Sequence, residues 1–141
     1  GVTGVQTCAL PISCIDPWCK YIEDCSMPYD LEKQEIELHE AEQIFDQKFL
    51  GNQNIKKIKM HSENASASFD NNSVDFIYID GNHQYSSVLS DLQIWYPKLC
   101  SGGIMAGHDF GWPSVNKAVL EFFNKQPIRT YVDSSWYYIK E

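Results

Sequence analysis

Apolar and polar positions alternate along the chain in two rhythms. Between Leu31 and Leu50, Ile36, Leu38, Ala41, Ile44, Phe45 and Phe49 recur mostly at three- and four-residue steps. That spacing predicts an amphipathic helix, stopped by Gly51-Asn52. Ile55–Met60 alternates apolar residues with lysines and predicts a strand near a sheet edge. Ser62 opens a short helix running to Phe69, and Asp70–Ser73 forms a turn. Val74–Ile79 (VDFIYI) is apolar enough for a strand in the middle of a sheet. Val88, Leu89, Leu92, Trp95, Tyr96 and Leu99 fall on one stripe of a helix over Ser86–Leu99, with Pro97 ending its last turn. A turn at Ser101-Gly102-Gly103 leads to a buried strand, Ile104–Ala106. Pro113 starts a helix whose apolar face is Val115, Ala118, Val119, Phe122 and Phe123. Ile128–Val132 and Trp136–Ile139 read as an antiparallel hairpin around Asp133-Ser134-Ser135.

Strand and helix alternate, which predicts an α/β fold with a mostly parallel sheet, helices on both faces and a C-terminal antiparallel strand. Ile55–Met60, Val74–Ile79 and Ile104–Ala106 are expected to be parallel strands of one sheet. Cys14-Ile15-Asp16 reads as the end of another strand, stopped by Pro17-Trp18. In such sheets ligands bind beyond the carboxyl ends of the strands. Polar residues gather at those ends: Asp16, His61-Ser62, Asp80–His83 and His108-Asp109.

Composition narrows the function. The 141 residues fit one domain or less. The net charge of −8 repels phosphate backbones and disfavours a nucleic-acid partner. No run is long and apolar enough for a membrane helix, and no secretion signal is expected. Five scattered cysteines, an odd number, speak against a disulfide framework and for reduced thiols in a cytoplasmic protein.

Asp80 leaves a buried strand into the expected cleft, and Gly107-His108-Asp109 closes the next strand. Each carboxylate alone would serve as a turn former or helix cap. Together Asp80, His108 and Asp109 supply two carboxylates and an imidazole, a set suited to a divalent cation. Mg²⁺ fits two carboxylates, whereas coordination by His108 would tilt the site toward Mn²⁺ or Zn²⁺.

The run VDFIYIDGNHQYSSVLSDLQIWYPKLCSGGIMAGHDF resembles a class I S-adenosylmethionine-dependent methyltransferase family. In that family an I-D-G-D-H-x-Y turn precedes a helix and then P-x-L-x-x-G-G-x-x-x-x-H-D. Asn82 stands where the family more often has Asp. The family is similar to the macrolide-sugar and catechol-type O-methyltransferases. The resemblance spans roughly residues 14–141 and implies a Rossmann-like fold. It implies S-adenosylmethionine as cofactor, a small-molecule acceptor methylated on a hydroxyl oxygen, and a divalent cation. By resemblance Asp16 holds the cofactor ribose, His61 and Ser62 flank the adenine, and Asp80 lies at the cofactor site. Asp80, His108 and Asp109 match the metal-ligand positions, although the position of His108 usually carries an acid. His83 matches the catalytic base. The family's first strand and glycine-rich loop are missing from the sequence.

Val2–Ile12 (VTGVQTCALPI) is identified as the codon-by-codon translation of a common sequencing adapter. Residues 1–13 are therefore set aside as foreign and expected to pack poorly, and residues 14–141 are read as a partial methyltransferase domain. Two rival functions draw on the same residues. A metal-dependent hydrolase would need a tight ligand cluster, and neither H-x-H-x-D-H nor H-E-x-x-H spacing is present. A non-catalytic binding module on the same fold would not require Asp80, His83 and Asp109.

Overall fold

Residues 11–22, 30–124 and 128–141 are described in the computed structural model. The chain divides into two units, Gly1–Lys20 with Asp30–His61, and Tyr21–Tyr29 with Ser62–Glu141.

In the first unit β1 (Ile12–Ile15) and β2 (Ile55–Ile58) pair in parallel, Ile12 opposite Ile55 and Ile15 opposite Ile58. Ladder hydrogen bonds are made by backbone alone, so Ile12 joins β1 although its side chain is exposed. Of the suspected foreign segment, residues 1–10 lie outside the described residues. Helix α1 (Leu31–Lys48) connects the strands, and the Asp30 carboxylate caps it by accepting from the Lys33 N–H at 3.0 Å. The helix is where the periodicity put it, but its packing differs. Ile36 and Ile44 are exposed, and the buried α1 residue is Glu42. Glu42 Oε1 accepts from Lys57 Nζ and Oε2 from Lys59 Nζ, each at 2.7 Å. Lys57 also meets Asp46 at 2.7 Å and lies over the Trp18 ring, which packs on Phe45. The lysines read as an edge signal are thus consumed by the acids of α1.

The second unit carries β3 (Val74–Ile79), β4 (Leu99–Gly107), β5 (Arg129–Thr130) and β6 (Trp136–Ile139) in the order β3-β4-β6-β5. Helix α2 (Ser62–Ser66) is shorter than expected. Helix α3 (Tyr85–Trp95), finished by a tight turn at Tyr96–Lys98 around Pro97, packs against α4 (Pro113–Phe122). The core holds Leu92, Leu99, Met105, Val119 and Trp136, all fully buried.

The expectation of a mostly parallel sheet is overturned. Only β3 and β4 pair in parallel here, whereas β4–β6 and β6–β5 are antiparallel. The sheet is mixed and mostly antiparallel. The reason is the connection: β6 returns from β5 through a tight hairpin at Asp133–Ser135, and a hairpin can only join antiparallel strands. β2 also does not join β3 and β4. It pairs with β1, and no described strand links that pair to β3. β3 is accordingly terminal among the described strands. Phe76 and Tyr78, which suggested a central strand, point away from Ile77 by the two-residue alternation and are about half exposed. The expected turn at Ser101–Gly103 lies inside β4. Gly102 takes φ +77°, a conformation open to glycine, and the register with β3 shifts between Val74 and Phe76.

Two titratable groups give stability predictions. Hydrogen bonds from Lys57 and then Lys59 hold the Glu42 carboxyl below its usual value of 4.5. Its stabilisation is therefore present above that value and lost as pH falls through the lowered one. Glu42→Gln should lower the Tm at pH 7, and the gap to the parent should close in melts near pH 3. Asp91 on α3 is the reverse case. Burial raises its carboxyl and a hydrogen bond from Ser62 only partly opposes this. Its folded state binds the proton more tightly, so stability is lost as pH rises through the raised value. Asp91→Asn should raise the Tm at pH 7.5 by roughly 2–4 °C, with the gain gone below about pH 4.

Candidate active site

Ile79 and Gly107 are register partners at the ends of β3 and β4. A Cβ on Gly107 would stand 2.5 Å from the Ile79 carbonyl oxygen and 2.7 Å from the Trp136 ring. Glycine is needed for that approach, not to admit a ligand. The His108 N–H donates to the Ile79 carbonyl at 3.2 Å, and the Trp136 indole N–H donates to the His108 carbonyl at 3.3 Å. These bonds hold the exit of β4 against the exit of β3.

Asp109 follows at φ +58°, in the left-handed region that Asp tolerates better than most residues. Its carboxylate is thereby placed between two imidazoles. Oδ2 lies 2.8 Å from His83 Nε2, and Oδ1 lies 3.2 Å from His108 Nδ1. The hydrogen bond with Asp109 pushes the His108 imidazole above its usual value, and partial desolvation opposes this. Ligand atoms of Asp80, His83 and Asp109 lie within 4.8 Å of one another, Asp80 exposed and the other two half-buried. A shallow cleft over them is walled by Val88, Val115 and Trp136.

The structure thus gathers Asp80, His83 and Asp109, whereas His108 approaches Asp109 on its other oxygen. His83 had been singled out as a base and not as a member of the acid cluster. Its position three residues after Asp80 was the available signal. Asn82 has a local role: its Oδ1 accepts from the Gln84 N–H at 2.8 Å and its amide donates to the Ile22 carbonyl at 3.3 Å. This turn aims His83 and begins α3. Trp112, absent from the sequence reading, stacks on His83 with centroids 4.7 Å apart and planes 29° from parallel.

The residues expected at the cofactor are distributed as follows. In the first unit the Asp16 carboxylate accepts from the Trp18 N–H, and His61 Nε2 lies 3.8 Å from Cys19 Sγ. In the second unit the Ser62 hydroxyl accepts from the Trp95 indole N–H at 2.7 Å and bonds to Asp91.

The donor chemistry of Asp80, His83 and Asp109 fits a divalent cation. Two carboxylates supply oxygen ligands and charge, and the imidazole suits Mn²⁺ or Zn²⁺ better than Mg²⁺. The same atoms also pair an imidazole with an acid, 2.8 Å apart. Asp109, an acceptor only when ionised, can accept the N–H of His83 Nε2.

Residues 3–110 match a family described as a methyltransferase domain, a span that includes the suspected foreign segment. An uncharacterized protein, R132, of Acanthamoeba polyphaga mimivirus is 34% identical over 58 residues, covering 36% of this chain and 26% of that protein. Among solved structures, the O-methyltransferase NovP superposes with a TM-score of 0.68 at 15% identity, over 92% of this chain and 60% of that one. The TDP-rhamnose 3'-O-methyltransferase CalS11, of calicheamicin biosynthesis, gives 0.56 at 16% identity, over 92% and 58%. The chain thus spans about 60% of the length of these solved structures. No described helix is long and apolar enough to cross a membrane. The chain belongs to the methyltransferase-domain family, and it shares its fold with the solved structures of NovP and CalS11.

Proposed function

We propose that the whole protein transfers the methyl group of S-adenosylmethionine to a hydroxyl oxygen of a small-molecule acceptor. The observation that carries this reading is the Asp80–His83–Asp109 cluster at the ends of two paired strands, in a chain of the methyltransferase-domain family. A sugar hydroxyl is the acceptor to try first, since the fold is shared with a TDP-rhamnose 3'-O-methyltransferase. The protein is read as cytoplasmic from its scattered cysteines, and residues 1–13 as foreign to the domain.

The reaction needs one proton moved. As the acceptor oxygen attacks the sulfonium methyl, its O–H proton passes to the His83 imidazole. The C–S bond breaks, and S-adenosylhomocysteine leaves with the electron pair. Asp109 orients the ring through Nε2 and stabilises the imidazolium that forms. A cation bound by Asp80 and Asp109 would lower the acceptor hydroxyl's pKa. His108 is the competing base, or a further metal ligand. Asp16 suits the cofactor ribose, because a carboxylate accepts from both hydroxyls. His61 and Ser62 are assigned to the adenine, Ser62 through its backbone since its hydroxyl is already bonded, and Asp80 to the cofactor end of the site.

Measurements on the whole protein test this. Asp16→Ala should weaken S-adenosylmethionine binding by about 1–3 kcal/mol in calorimetry. Unchanged affinity removes Asp16 from the ribose. His83→Ala should slow S-adenosylhomocysteine release with a TDP-sugar acceptor by roughly 10²–10⁴-fold while cofactor affinity holds. His108→Ala should mainly alter the metal requirement. Near-normal turnover in His83→Ala transfers the role of base to His108 or to bound metal.

A further inference from the structure

Among the described residues, Cys14, Cys19 and Cys100 carry free thiols, and their surroundings differ. Cys14 lies within β1, and partial burial pushes its thiol up. Cys100 donates its S–H to the Asn72 carbonyl at 3.0 Å, an acceptor that does not take the proton away. Of the three, Cys19 faces a base. Its Sγ lies 3.8 Å from His61 Nε2, within the longer reach of a sulfur hydrogen bond.

The first unit builds this pair from strand ends. β1 and β2 run parallel with Ile15 opposite Ile58, so the chain leaves both strands on the same side, toward Cys19 after β1 and toward His61 after β2. The approach to Cys19 is pinned on both sides. Trp18 takes φ +45°, donates its N–H to the Asp16 carboxylate and packs its ring on Phe45 with Lys57 over it. Lys20 Nζ is held by Glu35 at 2.9 Å. Cys19 is thus kept beside the imidazole, and it is only half-buried, open to a small reagent. Either sense of the contact favours sulfur as a nucleophile. A lone pair on Nε2 takes the S–H proton, and an N–H on Nε2 stabilises the thiolate.

We propose that Cys19, served by His61, is a site of covalent modification by soft electrophiles, with small disulfides as the biological class. The Cys19 thiol proton passes to His61, the Cys19 sulfur attacks one sulfur of the disulfide, and the S–S bond breaks. The departing thiolate recovers the proton from the imidazolium, and a mixed disulfide remains on Cys19. The Cys19 sulfur is oxidised and the departing half of the disulfide is reduced, so no further oxidant enters. The modification reaches cofactor binding through its neighbours. Asp16 and His61 are the residues assigned above to the ribose and the adenine, and an adduct on Cys19 would compete with the adenine for the His61 ring. That consequence rests on those assignments, whereas the reactivity of the thiol does not.

The test follows each thiol separately and does not depend on methyl transfer. The 141-residue chain is treated at pH 7 with iodoacetamide, which alkylates sulfur and releases iodide, and in parallel with oxidised glutathione. Peptide mass spectrometry gives the rate at each cysteine. In the parent, Cys19 should react roughly 10-fold or more faster than Cys14 and Cys100 with both reagents. His61→Gln, which keeps a polar group but no base, should slow Cys19 by roughly the same 10-fold. Cys14 and Cys100 should be unchanged in that variant, which also verifies its fold. A Cys19 rate in the parent no greater than those of Cys14 and Cys100 overturns the proposal, and that comparison requires no variant to fold. So does a Cys19 rate that His61→Gln leaves untouched. In the whole protein, saturating S-adenosylmethionine should slow the labelling of Cys19. If Cys19 reacts as expected and the cofactor gives no protection, the reactive thiol stands and the placement of His61 at the adenine falls.

Discussion

The chemistry of the second unit depends on the parallel pairing of Ile79 with Gly107. Parallel strands end at the same side of a sheet, so residues one step beyond a register pair emerge side by side. Asp80 and His108 are those residues. The pairing holds because Gly107 has no Cβ and the Trp136 ring can close over it. Trp136 is 1% exposed and bonds the His108 carbonyl, so a core residue fixes the direction in which β4 leaves the sheet. The left-handed Asp109 then turns its carboxylate back toward β3, where His83 meets it. A bulkier residue at 107 would part the two strand ends and separate the acid from its imidazole. Site and core are therefore one construction.

Much of this was legible from residue order. Ile77, Met105 and their neighbours form apolar runs, and Val88, Leu92, Val115 and Val119 recur at helical steps, so β3, α3, β4 and α4 could be read directly. The identity of the strand-end residues Asp80, His83, His108 and Asp109 was equally visible. What could not be read was which partner each would find. Strand pairing is a non-local property, and the apolar residues Phe76 and Tyr78 look the same in sequence whether or not a helix covers them. The hairpin was legible, but the antiparallel majority of the sheet also depends on β6 pairing with β4, which residue order does not specify. In α1 the periodicity located the helix and misjudged its contacts, since Glu42 with Lys57 and Lys59 does the work expected of Ile36 and Ile44. In the site, the meeting of His83 with Asp109 depends on the positive φ of Asp109. The Asn82 turn contributes to it, and propensity alone specifies neither geometry. Trp112 was hidden for a different reason: a tryptophan before a helical proline suggests neither a cap nor a core residue.

Asp109 also limits what the site can do at one time. A carboxylate has two oxygens, and both are engaged, one by each imidazole. A cation that uses Asp109 must share Oδ2 with His83 Nε2 or Oδ1 with His108 Nδ1. A cation held there would therefore weaken the pairing of Asp109 with at least one of the two imidazoles, His83 or His108. Asp109 also makes the largest contribution to the raised proton affinity of His108, beside smaller ones from Asp133 and Asp80, so loss of that contact would lower it.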